Sequence, residues 1–213
     1  MSTTKTPEQR VATVFELLEN SSQKGHIGGK MTRLDHALRA AQLANNDGAD
    51  EETTLATLLV NIGHLIPAME QPIISHFHYD TLDRLVDVAG NASVIDHGRV
   101  GGEYLRNLGF SDKTCELIES NVLAKRYLTT IDPDYLEPAD IPAGTPGASP
   151  HYSSLLSSTD MSEFEKDSLF KQKVQLAKWD AAATKATDIK PPALNTYRDM
   201  AIRNLLLSMK MLY

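Results

Sequence analysis

Apolar residues recur every three to four positions along nearly the whole chain, the spacing of helices that bury one face. No stretch has the strict alternation of a half-buried strand. Thr6-Pro7 has the form of an N-cap and first helical turn leading into QRVATVFELLEN. After a polar, glycine-bearing loop at 21–30, Thr32 with Asp35 has capping-box spacing at the head of TRLDHALRAAQLANN. Asp50 caps EETTLATLLVNIGHLI, which the pattern carries to Pro67. Beyond a loop containing HFHYD, a short helix ends at Gly90, and Asp96 opens another through HGRVGGEYLRNLGF. Ser111-Asp112 caps one long helix through KRYLTT; a second long helix covers SEFEKDSLFKQKVQLAKWDAAATKA, and LNTYRDMAIRNLLLSMKML closes the series. The Pro-, Gly- and Ser-rich stretch at 131–155 is too short for a domain and suits a cover over a pocket. The pattern predicts an all-α helical bundle, one domain over 1–213, without internal repeats.

Charge and composition narrow the partners. The formal charge is -7 and the basic residues are scattered, which tells against a phosphate backbone as partner. No apolar run approaches the roughly 20 residues that span a bilayer, and MSTTKTPEQR lacks a signal peptide's apolar core. A cytoplasmic protein with a small-molecule partner is expected. Cys115, the single cysteine, has no partner for an internal disulfide and reads as a packed helix residue.

Candidate chemistry rests on histidines. Of the seven (His26, His36, His64, His76, His78, His97 and His151), three lie on helical patterns beside Asp35, Asn61 or Asp96. A bundle points such side chains inward from several helices to hold a metal. The bland reading of each is a hydrogen-bonded core histidine, and of the loop pair His76 and His78 a solvated one. Trp179-Asp180 reads either as an aromatic anchor beside a surface acid or as part of a site.

Taken together, RLDHALRAAQLA, LLVNIGH, DHGRVGGEYLRNLGFS, LIESNVLAKRYL and the helix ending in KWD resemble the HD superfamily, most closely its mixed-valent diiron oxygenase branch with the phosphonate-cleaving oxygenases. The resemblance implies a metal cage of a histidine, a His-Asp pair, two further histidines and a late aspartate. Those positions fall on His36, Val60-Asn61, His97, Asn121 and Asp180. Valine has no lone pair, and a neutral amide bridges two cations poorly, so half of the cage is lost. The resemblance further implies a substrate-contacting lysine at Lys125 and the second histidine of the motif at His64. The loop that carries a Tyr and a Glu in those enzymes reads His26-Ile27-Gly28-Gly29, and their arginine falls on Ala177.

These residues lead to an expectation of an enzyme without metal or other cofactor. Its pocket takes a bulky, mostly apolar molecule and promotes a cyclisation of the Diels-Alder [4+2] type or an isomerisation, as in fungal terpenoid and other secondary metabolism. His97, Asp180 and His36 carry the catalytic expectation; Asn61, Asn121, Val60, His64, Lys125 and His26 contact the substrate. Two alternatives stand beside it: a non-heme iron oxygenase with atypical ligands, and a pseudoenzyme that binds without turnover.

Overall fold

The computed structural model describes residues 5–22, 26–27, 31–67, 70, 97–132, 135 and 155–210. Its described residues are all-α in character, with nine α-helices and one pair of two-residue strands. Helix α1 (Pro7–Ser21) starts where the sequence indicates: Thr6 accepts from Gln9 N–H while the Gln9 side chain accepts from Thr6 N–H. The short strands His26–Ile27 and Met31–Thr32 pair antiparallel, the first inside the stretch expected to be loop and the second just after it. Thr32 then caps α2 (Arg33–Asn46), and Asp50 caps α3 (Glu51–Leu59).

Three expected long helices are each divided, for identifiable reasons. Helix α3 stops at Leu59, and Ile62–His64 forms a 3-10 turn. A Cβ on Gly63 would lie 1.9 Å from the His97 carbonyl oxygen, so this turn passes directly against the start of α4 (His97–Asn107). The helix expected from Ser111 is α5 (Asp112–Glu119) followed by α6 (Asn121–Ile131). Between them the Ser120 hydroxyl donates to the Glu116 carbonyl, a local bond that competes with the helical ladder. In the third case Asp167 accepts from Leu169 N–H at 2.7 Å, turning the chain between α7 (Ser158–Glu165) and α8 (Phe170–Ala183). A 3-10 turn, Leu194–Tyr197, leads into α9 (Arg198–Lys210).

The main core joins Val11, Val14 and Leu18 of α1 with Leu55, Leu58 and Leu59 of α3, Leu117 and Ile118 of α5, Leu176 of α8 and Leu205 of α9. A smaller cluster packs Tyr127, Phe164 and Phe170 edge to face between α6, α7 and α8. Cys115 is fully buried, and burial pushes its thiol up to about 12, in keeping with a packing role. No described helix is long and apolar enough to cross a membrane.

Buried polar groups tie distant elements together. The Asn204 amide oxygen accepts from Ser111 N–H, and its nitrogen donates to the hydroxyls of Ser111 and Thr114. Helix α9 therefore supports the cap of α5. Asn204→Ala is expected to lower stability by roughly 2 kcal/mol, because it strands a buried N–H. An unchanged urea midpoint would remove that role.

Candidate functional site

The site forms where α2, the turn after α3, α6 and α8 meet around Asp180. This carboxylate is 3% exposed, and each oxygen of the residue has its own partner. Lys125 Nζ lies 2.6 Å from Oδ2, and Asn61 Nδ2 donates to Oδ1 at 2.9 Å. His36 Nε2 donates to the Asp180 main-chain carbonyl at 3.0 Å, which leaves His36 Nδ1 3.8 Å from Oδ1. Burial opposes the charge on Asp180, but Lys125, His36 and Asn61 together hold its pKa down to about 2.

Beside this knot, the His64 and His97 rings stack with centroids 4.0 Å apart at 33°. His97 Nδ1 donates to the Gly63 carbonyl at 3.3 Å, which fixes its ring against the turn that carries His64. Desolvation, then the charges of His97, Arg33 and Lys125, pull the His64 pKa down to about 4 against the opposing charge of Asp180. His64 still faces solvent and is neutral at neutral pH. Asn121 is 5% exposed, one helical turn before Lys125, and its Oδ1 has no hydrogen-bond partner among the described residues.

The sequence-derived set is thus mostly brought together. His36, Asn61, Lys125 and Asp180 are in direct contact, and His64 and His97 form the adjoining stack. Val60 is buried in the main core, away from any ligand role. The backbone of His26 lies in the short hairpin, while the placement of its side chain falls outside the described residues. His76, His78, Asp96, His151 and nearly all of the expected cover at 131–155 are likewise outside them. Ala177 is fully buried in the small cluster, with its carbonyl accepting from the Tyr135 hydroxyl at 3.0 Å.

Arg33 was not singled out from sequence, although it lies three residues before His36 and so on the same face of α2. The close crossing of Gly63 and Gly101 was missed as well, since an isolated glycine in a helical pattern does not reveal what approaches it.

The donor set does not fit a dinuclear metal centre. Both Asp180 carboxylate oxygens, His36 Nε2 and His97 Nδ1 are committed to protein groups, and the other cage positions are Val60, Asn61 and Asn121. Among the described residues no group of three His, Cys, Asp or Glu side chains could hold a metal ion. The cavity bordered by Arg33, His36, Leu58 and Asn61 measures about 10 Å³, room for one water.

No family model matches the chain. Three proteins are similar to it along most of their length. An uncharacterized protein of Acanthamoeba polyphaga mimivirus is 30% identical over 198 residues, covering 92% of this chain and 82% of that protein. The hydroxymethylphosphonate dioxygenase of Gimesia maris is 30% identical over 197 residues, 92% of this chain and 89% of its own. A glycine-betaine-forming [1-hydroxy-2-(trimethylamino)ethyl]phosphonate dioxygenase of Leisingera caerulea is 26% identical over 179 residues, covering 83% and 80%. None of the three is named as a cyclase or a terpenoid enzyme.

Proposed function

Because the chain belongs to the phosphonate dioxygenase family, with its HD-type diiron branch, we propose that it is an enzyme that has kept the family's pocket position and works without the iron pair. The observation that carries this reading is the engagement of both Asp180 oxygens by Lys125 and Asn61. Oxygenation at an iron pair needs metal positions open to oxygen, and this donor set does not supply them. An intramolecular cyclisation, of the [4+2] type, or an isomerisation needs neither electrons nor oxygen, and no atom enters or leaves.

Such a reaction asks for a reactive conformer and a hydrogen bond that strengthens as charge develops on a carbonyl. Holding the conformer removes much of the entropic barrier. A positioned donor in a dry site contributes on the order of 10²–10³ in rate. Lys125 is the donor on hand, the neutral His64 ring and His97 provide a planar polar wall, and the unpartnered Asn121 Oδ1 accepts from a substrate hydroxyl or N–H.

The second reading is an iron-dependent oxygenase with an atypical ligand set. The names of the Gimesia and Leisingera relatives favour it over a cyclisation as the inherited chemistry, and His36, His97 and Asp180 remain at three cage positions. Elemental analysis of protein expressed with iron and manganese supplied separates the two. Substoichiometric metal, with turnover unaffected by chelation, is the expected result. Stoichiometric iron, with oxygen uptake on hydroxymethylphosphonate that chelation abolishes, would sink the metal-independent reading and establish the oxygenase.

A further inference from the structure

We infer that Lys125 is the chain's built-in substitute for a metal cation: its ammonium group neutralises the buried Asp180 and holds the helices together as a bound ion otherwise would. This rests on the metal-independent reading. A carboxylate as enclosed as Asp180 needs a positive partner, because an unpaired buried charge is among the costliest features a fold can carry. Of the positions that would cradle a cation, three (Val60, Asn61 and Asn121) bring no ligand charge. Lys125 brings a positive charge, with Nζ 2.6 Å from Oδ2 and its side chain 18% exposed, from the helix that begins at Asn121.

The arrangement reproduces both services of a central ion. The first is electrostatic, one ammonium against one carboxylate. The second is mechanical: Asp180 on α8 is held by Lys125 from α6, by Asn61 from the turn after α3 and by His36 from α2. Four segments converge on one residue, so removing the cation strands the charge at the point where they join. Asn61 matters here because an amide donates to the carboxylate, whereas a second carboxylate at that position would repel it.

Thermal denaturation of the full chain tests this without any substrate. The wild type is expected to melt at the same temperature in EDTA and in added manganese. Lys125→Met should melt roughly 10 °C lower. Adding Asp180→Asn to Lys125→Met should recover about half of that loss, since it removes the stranded charge. Lys125→Arg should keep most of the wild-type stability.

A wild type that loses stability in EDTA and regains it with manganese would overturn the inference, as would Lys125→Met melting like the wild type. Should Lys125→Met fail to fold, the double variant decides: cooperative melting supports the charge argument, and a double variant that is equally unfolded overturns it. Because melting is read apart from turnover, a chelator that stops catalysis and leaves the melting temperature alone would end the functional reading and spare this one.

Discussion

Gly63→Ala is expected to destabilise the protein by about 3 kcal/mol or more and to separate the two stacked histidines. The added Cβ would sit 1.9 Å from the His97 carbonyl oxygen, 2.8 Å from its carbon and 3.0 Å from Gly101 N. All three are backbone atoms, so no side-chain rotation relieves the overlap. Helix α4 would have to slide outward, taking with it the His97 bond to the Gly63 carbonyl and the contact with His64. Gly48 is the control: its φ of +78° makes alanine strained, but nothing lies within 4 Å, so Gly48→Ala should cost only about 1 kcal/mol. Urea denaturation of the two variants reads the difference. Equal midpoints would show that the close crossing at Gly63 is not a constraint.

The second large effect is loss of stability in acid, in two steps. His64 has its pKa lowered from 6.5 to about 4, so the unfolded chain binds a proton before the folded one does. Its contribution is complete above about pH 6.5 and is lost as the pH falls toward 4. Asp180 is lowered from 3.8 to about 2 and follows the same sign: its contribution is complete above about pH 4 and is lost as the pH falls toward 2. The His64 step is smaller because solvent reaches that ring. Urea midpoints measured from about pH 7 down to about pH 3 should fall continuously. His64→Gln should flatten the upper step alone. A wild-type midpoint that holds constant between about pH 7 and pH 4 would refute the assignment to His64.

Much of this was legible in the sequence, for reasons that differ by residue. Helix starts were readable because a cap is local chemistry: Thr6, Thr32, Asp50 and Ser111 each accept from the N–H three residues on. Helix ends were less so. The breaks at Ser120 and Asp167 depend on one side chain taking one backbone group, and periodicity continues undisturbed across them. The polar cluster followed from the order of motifs, which brought His36, Asn61, Lys125 and Asp180 into one neighbourhood before any coordinates. What the order of motifs could not convey is who bonds with whom. Lys125, expected at a substrate, also pairs with Asp180, and Val60 packs in the main core. Those outcomes depend on distances of a few ångströms between elements far apart in the chain.

The clasp between Asn204 and Ser111 also sets an order of assembly on the ribosome. Helix α1 packs on α9, and Asn204 of α9 joins Glu52 of α3 at the cap of α5. Residues 7–21 are made before their partners at 198–210, at synthesis rates of roughly 5–20 residues per second. During those seconds Val11, Val14 and Leu18 lack their final cover, although all three are buried in the finished protein. These side chains are therefore without that cover until helix α9 has been made.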